Sequence, residues 1–214
     1  MRAAESYARD GYVHLPHFLP PKVARAFLVQ LREDIKNVPR AALEKEHALL
    51  RRGALELYGF HYTPLLTLLW GMTPAIEALL GTPLMPSYSY FRIYRRGDVC
   101  RVHSDRPSCE VSLSLTIAYG EDKPWALDIG TDPLPDPRPV VSDDFEGAGY
   151  RSVPMAPGDA VLYQGVHRRH GRITPNPNNW SAHVFLHWVD PEGPYREHQF
   201  DGRAVPEAVR FSMA

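Results

Sequence analysis

The sequence has few cysteines, little net charge and no long apolar run. Cys100 and Cys109 are its only cysteines among 214 residues, which excludes a disulfide framework and indicates a reducing compartment. Its 24 lysines and arginines against 25 aspartates and glutamates give no basic excess, which argues against nucleic acid as the main partner. The apolar stretch 65–70 is far shorter than the ~18 residues of a membrane span, so no membrane partner is expected.

The overall organisation follows from length and composition. Residues 1–10 are mixed and charged, without the apolar core of a signal peptide, so we expect a cytoplasmic protein. The length fits one well-packed domain over 1–214, made of a helical N-terminal part (1–82), a core of strands (83–190) and a C-terminal tail (191–214). The 21 prolines favour strands and loops over a helical bundle.

The N-terminal part is predicted to be mostly helical. The pattern predicts a short helix before a strand at 11–15, then helices over 21–37 and 41–52. A last, capped helix is predicted over 73–81, with Thr73 as N-cap, Pro74 at the first helical position and Gly81 after the C-terminus.

From residue 84 onward the apolar period changes to two. Eight strands are predicted, over 87–94, 99–103, 110–119, 125–129, 150–154, 160–163, 167–173 and 182–189. Short strands behind N-terminal helices predict a mainly β fold, the double-stranded β-helix or jelly roll of cupin-like proteins. The segment 131–149 is rich in proline, aspartate and glycine, and is expected to be a mobile excursion beside the barrel mouth.

The strand over 110–119 predicts what its two faces contact. Alternate positions are apolar on one face (Val111, Leu113, Leu115, Ile117) and carry hydroxyls on the other (Ser112, Ser114, Thr116). One face should therefore pack on an apolar layer, while the other lines a polar cavity. A second row at the same spacing combines aromatic and charged side chains: Tyr88, Tyr90, Arg92 and Tyr94. Plain barrel packing is the alternative for that row.

The residues that point to chemistry are a histidine and an aspartate two positions apart. His103 and Asp105 share one face of a strand, and one more histidine from a neighbouring strand completes the facial triad of non-haem iron oxygenases. His167 and His170 are both available and have opposite parity on a later strand. His170 is favoured because it shares a face with Arg172. The alternative without a metal site is that His103 is an ordinary surface histidine and Asp105 forms a turn.

These segments resemble the Fe(II)/2-oxoglutarate-dependent oxygenases, in their prolyl-hydroxylase-like and phytanoyl-hydroxylase-like part. The resemblance covers roughly residues 5–190. It is carried by Asp-Gly-Tyr-Val at 10–13, by Tyr94-x-x-Gly97 leading into His103-x-Asp105, and by Pro-Gly-Asp-Ala at 157–160 before the distal histidine.

The resemblance implies a set of cofactors and a reaction. His103, Asp105 and His170 would hold Fe(II), with 2-oxoglutarate and O2 as co-substrates. Such enzymes oxidise a substrate while 2-oxoglutarate is converted to succinate and CO2. A small polar or amino-acid-like substrate, to be hydroxylated, is the expectation for this chain.

One departure from the family concerns the keto-acid carboxylate. Many members carry an arginine or lysine on the last barrel strand, where this sequence has Ser181 or Ala182. Arg172 is the expected substitute, since it lies on the same face as the distal histidine and a guanidinium fits a carboxylate through two parallel hydrogen bonds. The alternatives are Arg92 and His183, with Tyr94 as an additional hydroxyl donor.

Two other functions fit the same residues. The first is a non-catalytic, cupin-like metal-binding or sensor protein. The second is a metal-dependent hydrolase or isomerase on the same fold, with Glu110 as the acid–base candidate. Formation of succinate from 2-oxoglutarate separates both from the oxygenase.

Overall fold

The structure is a computed structural model that describes residues 3–134 and 140–202. Within these ranges, twelve strands form two antiparallel sheets. The strands are β1 (Tyr12–Leu15), β2 (Glu44–Lys45), β3 (Ala54–Tyr58), β4 (Met85–Arg95), β5 (Cys100–His103), β6 (Val111–Tyr119), β7 (Leu127–Pro133), β8 (Val141–Ser142), β9 (Tyr150–Val153), β10 (Ala160–Tyr163), β11 (Arg168–Arg172) and β12 (Trp180–Val189). The helices are α1 (Ala3–Asp10), α2 (Pro21–Ile35), α3 (Arg40–Leu43) and α4 (Thr63–Leu80), with short 3₁₀ segments at Pro107–Cys109 and Arg196–Gly202.

The two sheets face each other as a jelly roll. One has seven strands in the order β1-β10-β6-β12-β4-β3-β2, and the other has five in the order β8-β5-β11-β7-β9. All eight strands predicted from the period of two are present, with ends shifted by a few residues. The prediction of a mainly β, double-stranded β-helix with N-terminal helices is confirmed.

The N-terminal part contributes more strand than its sequence pattern predicted. The helix expected over 41–52 is wrong for most of its length, because α3 ends at Leu43 and β2 follows at once. β3 pairs with β4 and β2 pairs with β3, so both strands extend the seven-stranded sheet. Pairing with an existing sheet edge outweighs the weak local helix preference of this charged stretch.

The last N-terminal helix is longer than predicted. α4 begins at Thr63, after Tyr62 as N-cap, and runs through Pro74 to Leu80. Thr73 is therefore inside the helix, where its hydroxyl donates to the carbonyl of Leu69 at 2.9 Å, and it is not the N-cap. The predicted C-terminus is confirmed, since Gly81 has φ +75° and its N–H donates to Glu77.

The helices cover the outer face of the seven-stranded sheet. The apolar layer between them combines Leu31 of α2, Leu65, Leu69 and Ile76 of α4, and the alternating set of β6 (Val111, Leu113, Leu115 and Ile117). By length and composition alone α4 could cross a membrane, but core helices meet the same test and its buried residues pack on this sheet. The hydroxyl-bearing face of β6 points between the sheets, as the alternation predicted.

The excursion over 131–149 is partly ordered by strand pairing. β7 continues to Pro133, and β8 pairs with β5 so that Val141 is opposite His103. Residues 135–139 lie outside the described ranges. The part of the segment at Val141 thus lies beside His103, while the mobility of the segment stays a prediction.

Candidate metal centre

The structure brings the three proposed ligands together on one sheet. β5 and β11 are antiparallel neighbours, and His170 is directly opposite His103 in their register. Asp105 follows β5, where its backbone N–H donates to the carbonyl of Gly165 at 2.9 Å. Both imidazoles are buried, and the rings are 4.3 Å apart between centroids.

The donor atoms face a common point. Nε2 of His103 is 3.5 Å from Oδ1 of Asp105, and Nε2 of His170 is 3.5 Å from its Oδ2. The candidate ligand atoms of all three residues lie within 4.8 Å of one another. Bonds of about 2 Å to a single ion place neighbouring donors about 3–3.5 Å apart, so the three atoms fit one metal.

Backbone contacts fix which nitrogen of each imidazole faces that point. Nδ1 of His103 is 2.8 Å from the carbonyl oxygen of Arg101, and Nδ1 of His170 is 2.9 Å from that of Arg168. A carbonyl only accepts, so each Nδ1 donates its hydrogen there and each Nε2 faces the common point. A metal-ligating histidine requires this orientation, with Nε2 giving up its proton to bind the ion.

The local electrostatics favour a cation. Burial by itself would raise the pKa of Asp105, but His170 and His103 outweigh it and hold that pKa well below its usual range. Burial would likewise lower the pKa of His103, yet Cys100 and Asp105 raise it to about 10, so without an ion this imidazole holds a second proton, which a metal would displace. The carboxylate thus stays ionised and draws positive charge to the point between the ligands.

Two glycines make room for this arrangement. A Cβ on Gly165 would be 2.5 Å from Oδ2 of Asp105 and 2.4 Å from the carbonyl oxygen of Cys109. A Cβ on Gly171, between His170 and Arg172, would be 2.8 Å from the carbonyl oxygen of Cys100 on β5. Any larger residue at either position would push a ligand-bearing segment away.

Arg172 lies deep between the sheets on the same strand as His170. It is 1 % exposed, and its guanidinium carbon is 4.8 Å from the ring centroid of Trp125. Nη1 donates to the carbonyl of Trp125 at 2.6 Å. The contacts of Nη2 are longer: Ser114 at 3.4 Å, and Met155 and His183 at 3.5 Å. Across the described part of the chain, no carboxylate pairs with Arg172.

Arg92 and Tyr94, the other candidates for the keto acid, belong to a different network. Nε of Arg92 donates to Oε1 of Glu56 at 2.6 Å, and its Nη1 donates to the hydroxyl of Tyr94 at 2.9 Å. The Glu56 carboxylate also contacts His47 at 2.8 Å and Tyr58 at 3.1 Å. The charge of Arg92 is therefore already neutralised.

Sequence reasoning missed this Glu56 network. Only a weak signal was present, since Glu56 and Tyr58 alternate with Leu55 and Leu57, as on a strand with one polar face. It lay in a stretch whose pattern was mixed, and no single residue there pointed to Arg92.

The structure also places two histidines of β12 inside the barrel. Nδ1 of His187 is 2.9 Å from the hydroxyl of Ser112, which also donates to Asp105 at 3.3 Å. Burial lowers the pKa of His187 to about 4, so its imidazole is neutral at physiological pH. Burial and the charge of Arg172 push the pKa of His183 well below its ordinary value.

Three residues considered from the sequence lie away from the cluster. His167 is at the turn before β11, where Nε2 is 3.5 Å from the hydroxyl of Tyr195. Arg101 has the parity of His103, which by itself predicts that it faces the interior, but its side chain extends outward to Asp143 at 2.9 Å. Glu110 accepts from the backbone N–H of Asp190 at 2.8 Å.

Two cavities adjoin the three ligands. The inner one, of about 20 Å³, is bordered by His103, Asp105, His170 and Arg172 and is the size of one water molecule. The outer one, of about 270 Å³, is bordered by His103 and Asp105 on one side and by Arg106 on another. Both cavities are bordered by His103 and Asp105, and so lie next to the candidate metal position.

Comparisons with family models and with curated proteins give no match. Solved structures do match. SnoK, a non-haem α-ketoglutarate-dependent carbocyclase from nogalamycin biosynthesis, is 13 % identical with a TM-score of 0.69, over 88 % of this chain and 83 % of its own. The epimerase SnoN, in complex with Fe3+, α-ketoglutarate and nogalamycin RO, is 15 % identical with a TM-score of 0.68, over 88 % and 82 %.

HygX from Streptomyces hygroscopicus, with nickel, 2-oxoglutarate and hygromycin B bound, is 10 % identical with a TM-score of 0.65. The match covers 89 % of this chain and 87 % of that one. At such identities the likeness establishes the fold, which is that of the Fe(II)/2-oxoglutarate-dependent oxygenases.

Proposed function

We propose that the chain is a non-haem Fe(II)/2-oxoglutarate-dependent dioxygenase that hydroxylates a small polar or amino-acid-like molecule. The observation that carries the proposal is a buried guanidinium, paired with no carboxylate of the described residues, beside three converging metal-type ligands. Burying a cation without a counter-charge is costly, so Arg172 indicates that an anion binds within its reach. A metal site and an anion site beside one cavity fit a keto acid, which would bind the metal at one end and the guanidinium at its far carboxylate.

The residues have separate roles in this proposal. His103, Asp105 and His170 would hold Fe(II) by two neutral imidazole nitrogens and one carboxylate, which leaves coordination positions for the keto acid and O2. When bound, the iron supplies the oxidation of the substrate, coupled to conversion of 2-oxoglutarate to succinate and CO2. Arg172 would pair with the far carboxylate of 2-oxoglutarate.

Keto-acid binding requires rearrangement around Arg172, since the inner cavity has the volume of about one water. The contacts of its Nη2 are the ones that can give way, because those to Ser114 and His183 are long for hydrogen bonds at 3.4 and 3.5 Å, and the Met155 thioether is a weak acceptor. A carboxylate would replace them with short, charge-assisted bonds. The neutral His183 beside Arg172 adds no competing positive charge.

The comparisons support this proposal through the small molecules and metals in related structures. SnoN and HygX were crystallised with a metal and 2-oxoglutarate or α-ketoglutarate, together with nogalamycin RO and hygromycin B respectively. SnoK is a carbocyclase and SnoN an epimerase, so the fold is compatible with oxidations other than hydroxylation. The outer cavity of about 270 Å³ would receive a small molecule next to the ligands.

The test is turnover of 2-oxoglutarate without added substrate. Purified protein is incubated with Fe(II) and 2-oxoglutarate under air, and succinate is quantified by mass spectrometry. We expect slow succinate formation that needs both Fe(II) and O2 and is lost in His103→Ala. A metal-binding sensor or a hydrolase would bind metal but form no succinate.

A further inference from the structure

The outer cavity is lined by two arginines and one carboxylate. Among the described residues that line it, Asp105 is the only acidic one, and its charge would be taken up by the metal. The hydrogen-bonding groups of His47, Tyr58 and Arg92 already contact the carboxylate of Glu56. Arg106 is therefore the arginine of this wall that Glu56 does not compensate.

The two arginines of this wall differ in how their charge is compensated. Arg92 is 3 % exposed and is paired with Glu56, which lies behind it in the sheet. Arg106 is about half exposed, with 47 % of its side chain accessible. It directly follows the ligand Asp105 and borders the same cavity. Arg106 thus supplies the positive charge that an incoming molecule meets beside the metal face.

The guanidinium of Arg106 is held in position by a ring and two hydrogen bonds. Its central carbon is 4.4 Å from the ring centroid of Tyr88, and that ring stacks in turn on His187 at 4.5 Å. Nη1 donates to the hydroxyl of Ser108 at 2.9 Å and to Asp201. In the described ranges Nε and Nη2 have no assigned acceptor, so N–H groups of the fork remain available.

The carboxylate on Arg106 comes from the C-terminal segment Arg196–Gly202. Asp201 and its neighbour Phe200 have φ of 58° and 52°, in the left-handed region that residues other than glycine seldom adopt. Phe200 stacks on Trp70 at 6.1 Å. The chain itself therefore shows that a carboxylate binds this guanidinium at the edge of the cavity.

We propose that Arg106 binds a carboxylate of the substrate, and that Asp201 occupies the guanidinium when no substrate is present. This inference rests on the proposed function, because it places the substrate in the cavity that borders the metal ligands. A planar guanidinium, fixed on an aromatic ring, is suited to two parallel hydrogen bonds with a carboxylate. The favoured substrates are organic acids, including amino-acid-like ones, over their uncharged analogues.

The test compares an acid with its amide. Protein loaded with Mn(II) and saturated with 2-oxoglutarate is titrated with N-acetylglycine or N-acetylglycinamide, and the relaxation of the acetyl protons by Mn(II) is measured by NMR. We expect saturable relaxation for the acid alone. Asp201→Asn, which removes the competing carboxylate, should tighten binding of the acid by about two- to fivefold. Arg106→Gln should abolish it.

The matched control is Arg96→Gln, which removes an exposed arginine paired with Glu121 and should leave both titrations unchanged. Equal relaxation of acid and amide, or unchanged binding of the acid by Arg106→Gln, overturns the proposal. If Arg106→Gln does not fold, the Asp201→Asn titration decides.

A wild-type protein that binds neither Mn(II) nor 2-oxoglutarate contradicts the proposed function instead. The acid and amide are then compared by saturation-transfer NMR, which needs no metal. Preference for the acid that depends on Arg106 supports the carboxylate site even in that case, and no preference overturns it.

Discussion

Arg92 and Glu56 form a buried ion pair, with 2.6 Å between Nε and Oε1. Arg172 is at least as deeply buried, but no described carboxylate lies within ion-pair distance of it. A buried pair is self-contained, whereas a buried single charge needs a ligand to compensate it. The two arginines thus have different expected roles: Arg92 stabilises the fold and Arg172 binds an anion.

Substitution of Arg172 tests whether this residue binds an anion. We expect Arg172→Gln to raise the KM for 2-oxoglutarate by about tenfold or more, since a charged hydrogen-bonded partner is lost, with metal affinity nearly unchanged. Kinetics of succinate formation and calorimetric titration with Mn(II) measure the two quantities. The control is Arg169→Gln on the same strand, whose side chain pairs outward with Glu146. A complex with the carboxylate on Arg92 or His183 would refute the assignment.

Substitution of Glu56 tests whether Arg92 stabilises the fold, and the effect of the substitution on stability depends on pH. Burial would raise the pKa of Glu56, but the hydrogen bond from His47 and the charge of Arg92 outweigh it and lower that pKa. A carboxyl with a lowered folded pKa stabilises the fold above its unfolded pKa and loses that contribution as pH falls through the folded value. We expect Glu56→Gln to reduce the free energy of unfolding by about 3–5 kcal/mol at neutral pH, because it leaves Arg92 buried without a partner.

The measurement is urea unfolding of wild type and Glu56→Gln at several pH values. The difference in free energy of unfolding should have its full size above the ordinary glutamate pKa of about 4.3. It should shrink at lower pH, where the wild-type carboxyl is protonated as well. Glu33→Gln, at an exposed pair with Lys36, is the control and should change little at any pH. A pH-independent difference would show that the charge of Glu56 is not its source.

The choice of distal ligand is tested by two neighbouring histidines. His170→Ala should weaken Mn(II) or Co(II) binding by at least about 100-fold, since even residues behind the ligands typically contribute 10–100-fold. His167→Ala should bind as the wild type does, because its Nε2 contacts Tyr195 outside the cluster. Calorimetric titration and Co(II) absorption measure both. The reverse result would make His167 the ligand.

Thr73 gives a test of the core that is independent of the site. The buried indole N–H of Trp188 donates to the Thr73 hydroxyl at 2.8 Å. Thr73→Val keeps the shape but removes this acceptor, and should cost about 1–3 kcal/mol of stability. Thr67→Val is the matched control, since that exposed hydroxyl contacts only the carbonyl of its own helix. Equal loss of thermal stability in both variants would contradict the role of the indole contact.

The strands and the ligand triad were accessible to sequence analysis for a physical reason. Side chains alternate strictly along a strand, so the spacing of His103 and Asp105, and of His170 and Arg172, fixed their faces. The position of a residue along a strand does not determine where the end of a long side chain lies. Arg101 shares the parity of His103, yet its flexible chain turns outward to Asp143.

The elements that sequence analysis missed depend on partners distant in the chain. Pro74 looked like the start of a helix, but α4 continues through it, because packing of Leu65, Leu69 and Ile76 on the sheet sustains the helix on both sides. β3 has no strong local signal, and it forms because β4 offers an edge and Arg92 offers Glu56 a partner. The local sequence pattern of a segment does not show which distant segments it will pack against.

Because His103 lies directly opposite His170, an ion bound by both would link β5 to β11. These two strands are distant in the chain. A link between them restricts the unfolded chain much as a covalent cross-link does. An ion that binds only the folded chain also shifts the folding equilibrium in proportion to its affinity and concentration. Scarcity of metal would then shorten the lifetime of the protein itself, beginning at the five-stranded sheet.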